Sequence, residues 1–217
     1  MSFYTEAQRA LQDTHESRPL ADAVAAAVVA DTLSDDHRAF IASRDYFFLS
    51  TVNAQGEPTV SYKGGDPGTV QALDAQTLVF PAYDGNGMFL SLGNITDTAK
   101  IGLLFMDFET PQRLRVQATA SLDDDPALKQ RYPGAIAVVR ARVDAVFINC
   151  ARYIHPHQRT GPSPYVPDAQ GAAPFPAWKR IETIQPFLPP GDQGVAERTG
   201  GTIDEAEYAR LLLEGKS

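Results

Sequence analysis

The chain has 217 residues, of which 43% are hydrophobic, enough to bury the core of one large domain or two small ones. Its formal net charge of −8 disfavours nucleic acid and membrane partners, so a bound anion needs a local basic or amide-lined pocket. The single cysteine, Cys150, excludes an internal disulfide framework and fits a reducing compartment. We find neither a signal-peptide pattern nor an apolar run that could cross a bilayer, and expect a cytoplasmic protein.

The first 43 residues are predicted to form a helical arm. Pro19 suits a first helical position, and Ser34 is an N-cap signal for a second start. We expect these helices to pack on a sheet as a lid or dimer arm. The apolar residues that recur at helical spacing behind Pro19 are Leu20, Val24, Ala27 and Val28.

Residues 44–155 change to aromatic and β-branched segments separated by turn residues, which indicates antiparallel strands. The last segment also has helix propensity, but its charged and apolar residues alternate with a period of two, so we predict a strand. Short strands at this spacing favour a barrel. The predicted strands are Tyr46–Val52, Thr59–Tyr62, Thr77–Phe80, Lys100–Met106, Leu114–Ala120 and Ala135–Phe147.

Residues 156–217 are predicted to form an extended wrapping segment and a short C-terminal helix. The segment is rich in proline and glycine through Gly194 and lacks the periodicity of a second core. Thr202 and Glu205 have the spacing of a capping box, so we expect the helix to start there.

The first segment that could carry chemistry is the strand end at Ser61, Tyr62 and Lys63, followed by Gly64 and Gly65. Glycines let a ligand approach backbone amides, and lysine supplies a charge suited to phosphate. An ordinary glycine-rich turn with a solvated lysine fits the same residues.

The second segment runs from Phe80 and Pro81 through an Asp-Gly-Asn-Gly turn to a helix that can begin near Met88. The free N–H groups of such a helix end can bind an anion without a basic side chain. A plain strand-to-helix connection is the alternative.

The third segment places Arg113, Arg115 and Gln117 on one face of a strand, because their spacing has a period of two. Two arginines on one face of an acidic protein indicate either a bound anion or an internal ion-pair ladder.

Cys150, His155 and His157 invite a metal interpretation, but their spacing is not that of a known zinc site. Structural or surface roles are favoured for them. The sequence also lacks the Walker, G-x-G-x-x-G, G-x-S-x-G and His-Glu-x-x-His motifs, which disfavours dinucleotide-fold, hydrolase and zinc-protease functions.

Taken in order, several segments resemble the pyridoxamine 5'-phosphate oxidase-related, FMN-binding branch of the split β-barrel flavoproteins. The resemblance covers roughly residues 34–180. The segments that carry it are Tyr46–Val52 before Gly56-x-Pro58, Ser61-x-Lys63 with the following Gly64–Gly68, Tyr83–Asn86, Ser91-x-Gly93-Asn94, Arg113–Val116, and Asn149-Cys150-x-Arg152-Tyr153-Ile154-His155.

The resemblance implies a mainly β fold, a six-stranded antiparallel split β-barrel with flanking helices, and a homodimer with FMN at the subunit interface. It also implies that basic phosphate ligands of the true oxidases are replaced here at Ser61 and at Asn86–Met88, with Arg113 or Arg115 as compensating cations. The C-terminal Arg-Leu-x-Pro of those oxidases is not found, so pyridoxamine phosphate is not the expected substrate. The implied cofactor-binding residues are Ser61, Tyr62, Lys63, Phe80, Pro81, Asn86, Gly87, Met88, Ser91, Asn94, Arg113, Arg115 and Gln117.

The expected function is therefore that of an FMN-dependent oxidoreductase acting on an unidentified small molecule, in which the flavin carries out the redox chemistry. Two alternatives stay open. The chain could be a non-catalytic module that binds or carries flavin or haem, or a reductase that uses a deazaflavin. No catalytic acid or base is assigned from the sequence.

Overall fold

The computed structural model describes residues 3–216 and divides the chain into two units, one up to residue 162 and one from residue 163 onwards. The first unit begins with three helices: α1 (Glu6–Thr14), α2 (Arg18–Val28) and α3 (Asp35–Ala42). Pro19 lies in the first turn of α2, and the Ser34 hydroxyl caps α3 by accepting a hydrogen bond from the His37 backbone N–H. Helix α3 thus starts where Ser34 predicts, α2 starts one residue before Pro19, and the start of α1 at Glu6 was not predicted.

The core of the first unit is a seven-stranded antiparallel sheet in the order β2-β1-β5-β6-β7-β4-β3. The predicted mainly β split barrel with flanking helices is confirmed, and the sheet remains open between the edge strands β2 and β3. A two-residue strand, β3, joins the six predicted ones. The strands are β1 (Tyr46–Val52), β2 (Pro58–Gly64), β3 (Gln71–Ala72), β4 (Thr77–Ala82), β5 (Lys100–Asp107), β6 (Gln112–Asp123) and β7 (Ala137–Ile148).

Each strand of the sheet presents one face to the core. In β1 the side chains of Phe47, Leu49 and Thr51 are buried and their neighbours are only half-buried, which defines an inner and an outer face. The register carries these faces across four strands, because directly paired residues lie on the same side. One inner row is Ser61, Leu49, Leu103 and Val116, and the adjacent outer row is Tyr62, Phe48, Leu104 and Arg115.

Helix α4 (Leu90–Thr98) follows β4 and packs against the inner face through Ile95, which is 2% exposed and belongs to the main hydrophobic core. The helix starts at Leu90, two residues later than the expected start near Met88. A short helix α5 (Pro126–Lys129) lies between β6 and β7. Its Leu128 packs with Tyr132 and Val79 in a second, smaller cluster.

The second unit is largely irregular between its short helices. It contains two 3-10 helices (Ala177–Arg180 and Glu182–Phe187), α6 (Val195–Arg198) and α7 (Glu205–Leu213). The predicted Thr202 capping box is wrong, because Asp204 caps α7 by accepting a hydrogen bond from the Glu207 backbone N–H. The preceding Ile203 uses its backbone N–H and C=O to bridge to Arg180 and Glu182, so the helix cannot begin earlier. In residues 3–216 we find no helix that could span a membrane.

We expect Gly65→Ala to lower the free energy of unfolding by roughly 1–3 kcal/mol, the usual effect of overpacking a filled site. A Cβ at Gly65 would lie 2.7 Å from the Cβ of the buried Thr69. The control is Gly93→Ala in α4, where an added Cβ meets no atom within 4 Å. It should stabilise the helix by about 0.5–1 kcal/mol. Urea unfolding measures the free energy of unfolding of both variants. Equal stability of the two would contradict the close packing of Gly65 against Thr69.

Candidate functional site

The N-terminus of α4 meets strand β2 through a pair of hydroxyl groups. The Oγ atoms of Ser61 and Ser91 are 2.9 Å apart, and either can be the donor. Ser91 is 9% exposed, so its hydroxyl lies at the edge of the core. The contact brings together two of the predicted cofactor-binding residues, which are 30 positions apart in the chain.

This helix end lacks a side-chain cap. The N-cap residue, Phe89, has the left-handed conformation (φ 52°, ψ 24°) and makes no capping hydrogen bond with its side chain. The first-turn N–H groups of a helix have no partner within the helix and carry its positive dipole end. The N-terminus of α4 can therefore donate to an anion beside Ser61 and Ser91.

Lys63 lies two residues beyond Ser61 on the same, inner face of β2, opposite Phe47. Its side chain is half-buried, and burial lowers the pKa of its ammonium group from the ordinary value of 10.5. Within residues 3–216 it has neither an ion-pair partner nor a side-chain hydrogen bond. A partly desolvated cation without a counter-charge is suited to bind an anion.

Asn94 has a structural role in this arrangement. Its amide Nδ2 donates to the Thr51 hydroxyl at 2.9 Å and lies 3.4 Å from the Thr59 hydroxyl. These bonds fasten α4 to β1 and β2, and they occupy the amide that we expected to meet the cofactor. Asn94 thus positions the helix whose N-terminus carries Ser91.

Tyr62 points to the opposite side of the sheet from Ser61 and Lys63. Its ring is 62% exposed and stacks on Tyr46, with 5.3 Å between centroids and 12° between planes. Gly64 allows this position, because a Cβ there would come within 3.1 Å of the Tyr62 ring. The stack continues through Phe108 to His157, at 6.3 Å and 4.8 Å, and forms an aromatic column of four near-parallel rings.

Phe80 and Pro81 are buried in the described structure, and Phe80 packs against Phe47 at 5.2 Å. A ligand at this point of β4 could meet only their main chain unless the core rearranged. Asn86, Gly87 and Met88, in contrast, lie in an exposed loop. The Asn86 side chain accepts a hydrogen bond from the Met88 backbone N–H at 3.1 Å and so shapes the turn itself.

Arg113, Arg115 and Gln117 share one face of β6, as the period of two predicts, and it is the outer face. They pair directly with Met106, Leu104 and Gly102 of β5. In this part of the chain the internal ion-pair ladder does not form, since neither arginine has an acidic partner among the described residues. These three side chains and the Ser61–Lys63 pair therefore lie on opposite sides of one sheet.

Residues 3–216 contain no group of three or more His, Cys, Asp or Glu side chains that could hold a metal ion. Cys150 is an exposed free thiol. His157 stacks on Phe108 in the aromatic column, and its backbone N–H donates to the Phe108 carbonyl at 3.0 Å. It therefore attaches the segment that follows β7 to the sheet.

An open antiparallel sheet with an inner helix between β4 and β5 defines this unit as a split-barrel protein. The profile of the family described as pyridoxamine 5'-phosphate oxidase matches residues 33–153, more than half of the chain. The protein belongs to the pyridoxamine 5'-phosphate oxidase family. No curated protein matches the chain.

Three solved structures illustrate what the chain is similar to. HupZ of Group A Streptococcus has 21% identity and a TM-score of 0.44, over 54% of this chain and 93% of that one. An FMN-binding protein of Syntrophomonas wolfei subsp. wolfei has 11% identity and a TM-score of 0.44, over 64% and 97%. HutZ, the heme storage protein of Vibrio cholerae, has 19% identity and a TM-score of 0.39, over 54% and 94%.

We expect Asn94→Ala to destabilise the protein by about 1–3 kcal/mol, because it leaves the buried Thr51 hydroxyl without its partner. Thr96→Ala, on the exposed side of the same helix, is the matched control and should change stability little. Thermal unfolding of both variants measures the difference. An Asn94→Ala protein as stable as the control would contradict the anchoring role.

Proposed function

We propose that this protein is an FMN-binding oxidoreductase that transfers electrons between its flavin and an unidentified small molecule. The observation that carries the proposal is the hydroxyl pair of Ser61 and Ser91 at the uncapped N-terminus of α4, with Lys63 on the same face of β2. The proposed site of action is the cytoplasm, where the exposed thiol of Cys150 would stay reduced.

These groups fit the phosphate of FMN. Two hydroxyls, the free N–H groups of a helix N-terminus and one ammonium group are all donors to phosphate oxygens. A hydrogen bond to a charged group contributes about 1.5–3 kcal/mol, so Lys63 alone can account for much of the phosphate affinity. The half-buried position strengthens the attraction, because fewer waters compete.

The two-sided arrangement of the sheet supports a homodimer with the flavin between subunits. Arg113, Arg115 and Gln117 lie on the outer face, so they can reach the cofactor bound by Lys63 only from a second subunit. The same outer face exposes Val60 and Tyr62 of β2 by 66% and 62%. Apolar side chains of this size are suited to burial in a subunit contact.

When bound, FMN supplies the hydride and electron transfer, and the protein contributes binding, orientation and the exclusion of water. In this proposal Ser61, Ser91, Lys63 and the α4 amides hold the phosphate. Main-chain groups of Phe80 and Pro81 and the loop from Asn86 to Met88 line the approach, while Asn94 keeps the helix in place. Tyr62 meets the ring system only where a second subunit brings it there.

The first test is the absorption spectrum of freshly purified protein, followed by titration of stripped protein with FMN, a deazaflavin and haem. We expect flavin bands and an FMN affinity in the micromolar range or tighter. If the protein retains the deazaflavin or haem in preference to FMN, that compound would become the proposed ligand. If the protein binds FMN but neither NADH, NADPH nor any other donor tried reduces the bound flavin, the result would favour the carrier function over the oxidoreductase.

A sharper test uses Lys63→Met and compares FMN with riboflavin, which lacks the phosphate. The variant should bind FMN about 10- to 100-fold more weakly, because one charge-assisted bond is lost, and riboflavin as well as before. Only protonated lysine attracts phosphate, so FMN affinity should fall as pH rises through the lowered pKa of Lys63. That dependence should disappear in the variant.

The matched control is Lys129→Met, which removes the same charge from the exposed end of α5. It should leave both affinities unchanged. Equal losses for FMN and riboflavin in Lys63→Met would mean that the lysine supports the fold or the ring rather than the phosphate, and would contradict the proposed site.

A further inference from the structure

A neutral side chain holds Arg115 on the outer face of the sheet. The Nη1 of Arg115 donates a hydrogen bond to Asn149 Oδ1 at 2.7 Å. Among residues 3–216 this is the only side-chain hydrogen bond of Arg115, and it has no ion pair there. Most arginines of the first unit pair with an aspartate instead, as expected in a chain with net charge −8. The ion-paired arginines are Arg9, Arg18, Arg38, Arg44, Arg140, Arg142 and Arg159.

The position of Asn149 follows from the pairing of β6 with β7. Arg115 lies directly opposite Phe147, and Asn149 comes two residues after Phe147, just beyond the end of β7. Because side chains alternate along a strand, Asn149 lies on the same, outer side as Phe147. It is therefore the diagonal neighbour of Arg115, at a distance that a long side chain can span. The register thus accounts for a contact between residues 34 positions apart.

The chain turns soon after Asn149. The backbone N–H of Ile154 donates to the Ala151 carbonyl at 3.1 Å, which closes a turn. Within this turn Tyr153 has a left-handed conformation, with φ 70°. The turn ends the ladder of β7 and leaves Asn149 half-buried at its end, so the amide has a defined place beside Arg115.

An amide orients a guanidinium group without neutralising it. Asn149 supplies an acceptor oxygen and no charge, whereas an aspartate in its place would form an ion pair and weaken the attraction for another anion. Burial, and secondly the charge of Arg113, lower the pKa of Arg115, but a guanidinium group keeps its proton in proteins. Arg115 therefore keeps its full positive charge and most of its N–H donors.

We propose that Asn149 is a positioning residue, which orients Arg115 of its own chain toward the FMN bound by the second subunit. The inference rests on the proposed function, in which Arg115 reaches the cofactor across the subunit contact. A long side chain loses rotamer freedom when it binds a ligand, and a hydrogen bond that already holds it reduces this loss. Asn149 acts through Arg115 and does not itself have to touch the cofactor.

The first experiment titrates FMN into stripped protein. Asn149→Ala should weaken FMN binding by about three- to tenfold, because Arg115 loses its anchor. Asn149→Asp should weaken it by about tenfold or more, because the new carboxylate keeps the acceptor but neutralises the guanidinium group. A purely structural role of Asn149 predicts the reverse order, since aspartate has the shape of asparagine whereas alanine removes the contact.

Two controls accompany this titration. Thermal unfolding without FMN separates lost binding from lost folding, and Asn149→Asp should unfold at the wild-type temperature or above, because it gains an ion pair with Arg115. Gln55→Glu makes the same change from amide to carboxylate in the exposed turn between β1 and β2. It should leave the FMN affinity within about twofold of wild type, because an exposed charge away from the site is screened.

A double-mutant cycle tests whether Asn149 acts through Arg115. Arg115→Gln alone should weaken FMN binding about tenfold, because it removes the charge. Adding Asn149→Ala to that variant should change the affinity by less than about twofold, since the side chain that Asn149 positions is no longer there.

Mixed dimers test which subunit's cofactor Asn149 serves. Chains with Lys63→Met and chains with Asn149→Asp carry different affinity tags and are co-expressed, so that dimers with one chain of each kind can be isolated. If Asn149 serves the second subunit, one site of each mixed dimer has both changes and the other has neither. One FMN per mixed dimer should then bind with wild-type affinity, and neither variant alone should show such a site.

Several results would overturn this role and leave the proposed function standing. Wild-type FMN affinity in Asn149→Asp would show that the partner of Arg115 does not affect the cofactor. An undiminished loss from Asn149→Ala in the Arg115→Gln variant would show that Asn149 acts without Arg115. Mixed dimers without a tight site, or a protein that binds FMN as a monomer, would contradict action across the subunit contact. Wild-type protein that binds no FMN would overturn the proposed function and this role together.

Discussion

The alternation of side chains along antiparallel strands is the constraint on which the rest of this structure depends. The register of β2, β1, β5 and β6 sends Ser61 and Lys63 inwards and Tyr62, Arg115 and Arg113 outwards. A shift by one residue in any of these pairings would exchange the two sets. The separation supports the proposal that a cofactor is shared between two chains, with the inner face of one chain and the outer face of the other meeting it.

The inner side depends further on how α4 is attached. A buried amide, Asn94, joins the helix to the first two strands by hydrogen bonds, in addition to the apolar packing of Ile95. A hydrogen bond specifies one orientation, whereas apolar packing tolerates several. The N-terminus of the helix is thereby held beside Ser61, where an uncapped end can receive a charged group.

Much of the fold could be predicted from local pattern. The aromatic and β-branched residues of Tyr46–Val52 and the period of two in the segment now seen as β7 identified strands, and capping residues such as Ser34 located helix starts. β3 was missed because two residues show no period. The Thr202 cap was misplaced because Ile203 makes a non-local bridge that local spacing cannot reveal.

The candidate site was predictable only in part, because it also depends on contacts between residues that are far apart in sequence. Periodicity places Ser61 with Lys63, and Arg113 with Arg115, on common faces. That these two faces are opposite follows from pairing between strands far apart in sequence. The hydrogen bonds of Asn94 and the contact between the Ser61 and Ser91 hydroxyls require tertiary structure, so the sequence alone could name these residues but not their roles.

The aromatic column from Tyr62 to His157 has a consequence for observing the molecule. Stacked rings in a fixed, chiral arrangement couple their electronic transitions, so Tyr62, Tyr46 and Phe108 act together as a near-ultraviolet chromophore. His157 joins the end of the stack from the segment that follows β7. Release of that segment from the sheet would thus alter the near-ultraviolet circular dichroism of the tyrosines. This signal therefore reports whether the segment that follows β7 is attached to the sheet.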